Sequence, residues 1–110
     1  MIENYEVIWA HVAEKDLREI IDYIAIGNPE DALKILKRIK RKASSLYAMP
    51  ERCRVVPELK AQNITQYQEL IDTPWRIIFR IVEKKVYVLS VLDSRRNIED
   101  ILLARLVNMP

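Results

Sequence analysis

The feature that most narrows the fold is a change of hydrophobic period near the middle of the chain. Before Met49-Pro50 the apolar residues recur every three or four positions, and after it every two. The first spacing gathers side chains on one face of a helix, and the second gathers them on one face of a strand. A chain built this way makes helices first and strands second. That order predicts an α+β fold with its helices packed on a sheet.

The helical half opens with a short run of strand formers, Tyr5-Glu6-Val7-Ile8-Trp9. Leu17, Ile20, Ile21 and Ile24 then share one helical face, and Lys15, Asp16, Arg18, Glu19 and Asp22 occupy the rest. Gly27-Asn28 ends this helix, and Pro29 cannot continue it. Asn28-Pro29-Glu30-Asp31 restarts a helix: a cap, a residue suited to the first turn, and two acids at the positive end. Ala32, Ile35, Leu36, Ile39, Ala43, Leu46 and Tyr47 form its apolar stripe. Two helices joined by so tight a turn predict a hairpin packed on a shared seam.

The second half reads as strands. Arg54-Val55-Val56 leads to Pro57-Glu58-Leu59, where proline argues for an edge or a strand end. Tyr67–Ile71 and Trp75–Val82 follow, then a polar turn at Glu83-Lys84-Lys85, then the nearly continuous apolar run Val86–Leu92. Even spacing predicts an antiparallel meander, with the last strand covered on both faces. Asn97 caps a final helix whose apolar face is Ile98, Ile101, Leu102 and Leu106. The expected order is β-α-α-β-β-β-β-α. It describes an N-terminal strand and helical hairpin packed on a curved antiparallel sheet, with a short C-terminal helix, in one domain spanning residues 1–110.

Composition excludes several function classes. No apolar run approaches the roughly 18 residues of a membrane span. Cys53 and His11 are each the sole residue of their type, so no cysteine cluster, His-rich metal site or internal disulfide is expected. No cofactor is expected either. With no signal-peptide pattern at Met1-Ile2-Glu3-Asn4, the expected compartment is the cytoplasm. A net charge of +2 hides an asymmetry: residues 1–31 carry eight acids and two bases, whereas residues 32–110 carry sixteen bases and eight acids. The basic part suits a polyanion or an acidic partner.

Six bases, Lys34, Lys37, Arg38, Lys40, Arg41 and Lys42, fall on one helix. They read as a solvated face whose lysine stems cover apolar surface, against the alternative of a polyanion surface. Arg76 and Arg80 lie mid-strand, where an arginine is costly unless it is paired or faces water. With Arg95 and Arg96 they are candidates for an anion pocket on an open sheet face, since guanidinium forks bind phosphate and carboxylate bidentately. The competing reading pairs them with Glu58, Glu69 or Asp93. Arg54 joins them as a partner-binding candidate. Glu58 is a candidate general base beside a held phosphate, or else a paired acid. Cys53 reads as a small half-buried residue, His11 as a helix start, and Trp9, Trp75 and Phe79 as core.

The sequence resembles the RelE/ParE superfamily of toxins from type II toxin–antitoxin systems. The matching stretches are Asp16-Leu17 with Ile20, Asp22-Tyr23-Ile24-Ala25, Asn28-Pro29 with Ala32, and Arg54-Val55-Val56-Pro57-Glu58-Leu59. They continue through Tyr67-Gln68-Glu69-Leu70, Trp75-Arg76-Ile77-Ile78-Phe79-Arg80-Ile81 and Val91-Leu92-Asp93-Ser94-Arg95-Arg96-Asn97. The resemblance implies a helical hairpin on a curved antiparallel sheet. It implies one of two activities: ribosome-dependent cleavage of mRNA, as in RelE-like members, or binding and poisoning of DNA gyrase, as in ParE-like members. It also implies a cognate antitoxin, with DNA contact only through the antitoxin complex.

Carried over one residue at a time, the phosphate-holding arginines of the nucleases fall on Arg76 and Arg96. The two lysines of the nucleases' third strand fall on Tyr67 and Glu69, and their C-terminal tyrosine falls near Leu102. Another nuclease branch places a glutamate base where Glu58 stands, but its terminal His-Tyr pair has no counterpart in Leu106-Val107-Asn108-Met109-Pro110. Each lost transition-state donor typically costs about 3 kcal/mol. The resemblance therefore leans toward a non-enzymatic, ParE-like gyrase poison, with the endonuclease as the alternative and an inactive binding module of the same fold as a third reading. Cys53 stands where many relatives carry a glycine.

Overall fold

A computed structural model describes residues 4–107. Strand β1 (Glu6–Trp9) leads into helix α1 (His11–Gly27), and α2 (Pro29–Ser44) returns against it. Two single 3₁₀ turns, Ser45–Tyr47 and Pro50–Arg52, precede the two-residue strand β2 (Arg54–Val55). One helical turn, α3 (Pro57–Lys60), is followed by β3 (Tyr67–Asp72), β4 (Trp75–Val82), β5 (Lys85–Asp93) and α4 (Ile98–Leu106).

The sheet order is β1-β5-β4-β3-β2. The meander β3-β4-β5 is antiparallel, as expected. β1 runs parallel to β5, with Val7 opposite Val86 and Trp9 opposite Val88, so the sheet is mixed and not wholly antiparallel. The cause is the hairpin between them. Two helices carry the chain out and back before the meander begins, so β1 is placed beside the last strand and not the next one. Pro57 follows an edge strand at its end, as expected; beyond the expected order it also starts the helical turn α3, its ring fitting the first helical position.

Local chemistry explains the hairpin. Asn28 is both the C-cap of α1 and the N-cap of α2; its N–H donates to the Ile24 carbonyl at 2.9 Å and its Oδ1 accepts from the Asp31 N–H at 3.0 Å. Gly27 itself stays helical, and no glycine has a positive φ, so Pro29 and the cap end α1 without a left-handed residue. Asn97 caps α4 the same way, accepting from the Asp100 N–H at 3.2 Å.

Apolar side chains fill both faces of the sheet. On one, Ala13 and Leu17 of α1 and Ile39 and Ala43 of α2 pack on Trp75, Ile77, Val88 and Val91. On the other, Val56, Leu59, Tyr67, Ile78, Leu89 and Leu92 are covered by Ile98 and Leu102 of α4. A bulge in β5 makes this possible. Ile78 faces Ser90 and Phe79 faces Val88, which leaves Leu89 as an extra residue and reverses the alternation beyond it. Val86 and Val88 thus point to the hairpin, while Leu89 and Leu92 point to α4. Among the described residues, no helix is long and apolar enough to cross a membrane.

Candidate functional site

Period-two alternation puts Arg54, Glu69 and Arg76 on one sheet face, on adjacent strands. Arg54 of β2 is directly opposite Glu69 of β3. Glu69 is opposite Ile78, so Arg76 lies diagonally from it, two residues along β4. Above them α3 brings Glu58. Arg76 donates from Nη1 and Nη2 to the two oxygens of Glu58, both at 2.6 Å, and from Nε to Glu69 Oε1 at 2.6 Å. Arg54 Nε donates to the other Glu69 oxygen at 2.5 Å. The Glu69 side chain is fully buried and that of Arg76 is 8% exposed. Two guanidinium groups and two carboxylates form a closed, neutral lattice.

This arrangement sets the proton affinities. Hydrogen bonds from Arg76 hold the Glu58 carboxyl below the usual glutamate range, against the opposing effect of partial burial. The Glu58 carboxylate in turn raises the Arg76 guanidinium above its ordinary value. Glu58 is therefore a paired anion, unsuited to taking up a proton near neutral pH.

The expected grouping of Arg76, Arg80, Arg95 and Arg96 on one open face is not what the chain builds. α3 and α4 cover that face, so it is not open. Arg80 lies further along β4, its guanidinium 5.9 Å from the Tyr67 ring. Arg95 and Arg96 sit in the turn after β5, beside a cleft of about 280 Å³ on the hairpin face of the sheet. Ile20, Tyr23 and Ile24 of α1 form one wall, with Trp75, Val91 and Asp93 opposite. Trp75 and Arg76 are neighbours in sequence, and strand alternation sends them to opposite faces. Arg95 is engaged by Asp93, through Nη2 to Oδ2 at 2.6 Å and through its own N–H to Oδ1 at 2.9 Å. The side-chain bond and then the backbone bond pull the Asp93 carboxyl down to about 2.

Sequence reasoning missed one polar cluster. Asp16, read above as part of the solvent-facing side of α1, is 7% exposed. β1 ends at Trp9, opposite Val88, so beyond that point the outer edge of β5 has no strand beside it. Asp16 fills the place: its Oδ2 accepts from the Val91 N–H at 3.0 Å. Arg105 reaches round from α4 to both Asp16 oxygens, at 2.6 and 2.9 Å, and to Ser90 Oγ at 2.9 Å. The only advance signal was an acid and a serine amid apolar runs that a sheet edge would bury.

Cys53 is half-buried, and burial pushes its thiol up, away from nucleophilic character. Its φ of −71° is open to any residue, so glycine is not required there. Among the described residues no three His, Cys, Asp or Glu side chains are placed to hold a metal ion.

A helical hairpin laid on one face of a mixed five-stranded sheet, with two short helices on the other, is a RelE/ParE-like toxin fold. The model of the ParE toxin of type II toxin–antitoxin systems, parDE, matches residues 7–98. The chain belongs to this family. Among solved structures, the chromosomal ParDE toxin–antitoxin system from P. aeruginosa is similar at 21% identity and a TM-score of 0.67, over 83% of this chain and 97% of that one. The toxin–antitoxin complex RelBE2 from Mycobacterium tuberculosis is similar at 19% identity and a TM-score of 0.60, over 82% of this chain and 91% of that one. No curated protein matches the sequence.

Proposed function

We propose that this toxin arrests growth in the cytoplasm by binding and poisoning DNA gyrase, and that a cognate antitoxin neutralises it. One observation carries the choice between the family's two activities. Arg76, which falls where the nucleases hold the scissile phosphate, spends its guanidinium on Glu58 and Glu69. A phosphate entering there would displace two carboxylates and meet their charge. The third strand offers Tyr67 and Glu69 where the nucleases offer lysines, so nothing compensates. The partner-facing bases in this reading are Arg54, Arg80, Arg95 and Arg96. Arg54 has a side chain 59% exposed, and Arg96 borders the cleft.

The antitoxin reading is supported by the similar solved structures, one a ParDE system and the other a RelBE2 toxin–antitoxin complex. The test is a pair of reactions with purified toxin. Supercoiling by gyrase should fall, with accumulation of cleaved plasmid, and pre-incubation with the antitoxin should restore it. On translating ribosomes, messages should stay intact. Message cleavage that is lost in Arg96→Ala would overturn the gyrase reading in favour of the endonuclease. Arg96 is the better probe because Arg76→Ala also removes a buried ion pair.

A further inference from the structure

The six bases of α2 divide into two kinds. Arg38 and Lys40 have local partners. Arg38 Nε lies 3.1 Å from Asp72 Oδ2 and its guanidinium 5.6 Å from the Trp75 ring centroid. Lys40 Nζ lies 4.3 Å from the centroid of Trp9. These two do the ordinary work of covering apolar surface with a charged side chain. Lys34, Lys37, Arg41 and Lys42 do not. All four are exposed, and among the described residues none makes an ion pair, a side-chain hydrogen bond or a ring contact.

Lys34, Lys37, Arg38 and Arg41 are spaced i, i+3, i+4 and i+7. They form one stripe of cations over two helical turns, roughly 10 Å long. Like charges at these spacings oppose the helix they sit on. The negative C-terminal end of α2 favours Arg41 and Lys42, but its influence does not reach back to Lys34 and Lys37. None of the stripe's own positions is apolar, and at its two ends the same face continues with Glu30 and Ser45; a single exposed apolar side chain, Leu33, borders it near Lys37. A protein partner is held chiefly by a desolvated apolar centre. A phosphate backbone needs only cations and releases its own counterions on binding. Duplex DNA carries a charge about every 1.7 Å of its axis, dense enough to meet all three unpartnered bases of the stripe, and a single strand carries half as many.

We propose that the solvent face of α2 binds the phosphate backbone of double-stranded DNA through Lys34, Lys37 and Arg41, the unpartnered bases of the stripe. This contact is the toxin's own, in contrast to the expectation that DNA is touched only through the antitoxin complex. It goes beyond the gyrase reading and does not depend on it.

The experiment titrates the full-length toxin, free of antitoxin, against a fluorescently labelled duplex of about 20 base pairs and arbitrary sequence, read by anisotropy between 50 and 200 mM salt. Three phosphate contacts give a log–log salt slope of roughly −2.7, about a fortyfold loss of affinity across that range. Lys37→Gln/Arg41→Gln should reduce the slope by about two, and Lys34→Gln alone by about one. Lys15→Gln/Lys60→Gln, on other elements, should leave the slope unchanged. None of these side chains has a packing partner to lose, and an unchanged melting temperature confirms that each variant is folded. The proposal is overturned by no binding at 50 mM salt, or by a slope unaltered in the α2 variants. Tighter binding of polyglutamate than of the duplex would overturn it too, making an acidic protein segment the occupant. Gyrase is absent from the assay, so failure of the gyrase reading leaves these outcomes unchanged.

Discussion

At the scale of single residues, the costliest group to disturb is Arg76. Its removal leaves Glu69 buried with only Arg54 and leaves Glu58 without its fork. Breaking a buried pair from one side typically costs 3–5 kcal/mol, because the surviving charge has lost its compensation. Arg76→Ala should lower unfolding stability by about that much, read as a drop in the urea midpoint. Arg76→Lys should lose less, since it keeps the charge but not the bidentate geometry. The same lattice makes stability depend on pH. The folded Glu58 carboxyl titrates below its unfolded value of about 4.3. Its contribution is therefore complete above that pH and is lost as pH falls through the lowered folded value. Glu58→Gln should weaken the protein at neutral pH and flatten the acid limb of its stability profile, as urea midpoints measured from pH 7 to pH 3 would show. If the limb keeps its steepness in the variant, the lattice is not what titrates there.

At the scale of elements, the helices were legible because their stripes and caps agree. Asn28, Pro29 and Asn97 do what their chemistry suggests, and the apolar sets of α1 and α2 meet on the same four strand residues. The direction of β1 was not legible, since pairing with β5 rather than β3 is decided by long-range packing and leaves no local mark. The β5 bulge was hidden for a related reason. Val86–Leu92 is apolar on both faces, so a shift of alternation at Leu89 produces no visible break in pattern. A third feature concerns the β4–β5 turn, where Glu83 takes φ 57°, a left-handed conformation that costs an ordinary L-residue roughly 1–2 kcal/mol. Asparagine tolerates that region better because its short side chain bonds locally. Glu83→Asn should stabilise the protein by about 0.5–1 kcal/mol, seen as a higher urea midpoint with an unchanged denaturant slope. A lower midpoint would mean that the Glu83 side chain contributes more than its backbone costs.

At the scale of the whole molecule, the candidate site was legible residue by residue but not in its arrangement. The pairing of Arg76 with Glu58 and Glu69 follows from strand alternation once registers are known, and registers depend on pairings that no local pattern supplies. Burial of Asp16 is harder still, because it requires knowing that β1 stops at Trp9 and leaves the edge of β5 open. That same carboxylate joins the two faces of the fold. α1 lies on the hairpin side and α4 on the other, and Arg105 reaches across the edge to Asp16. α4 is otherwise held by the buried Ile98 and Leu102, each worth roughly 1.5–3 kcal/mol, by the partly buried Ile101, Leu103 and Leu106, and by Gln62 on Glu99, so the charged tether adds the one attachment that crosses the sheet edge. Asp16→Ala removes the tether, leaves the Val91 N–H without its acceptor and leaves the Arg105 guanidinium with Ser90 Oγ but no counter-charge, at a cost of about 3 kcal/mol. The loss should be felt unevenly. Amide exchange in α4 should quicken most, while the amides of the capped α1–α2 junction should change only by the global loss of stability. Asp16→Asn keeps an acceptor for Val91 but not the ion pair, so it should loosen α4 nearly as much at a smaller global cost. Uniform exchange across both helices in these variants would show instead that the two faces unfold as one unit, with the edge contact contributing to the whole and not to α4 in particular.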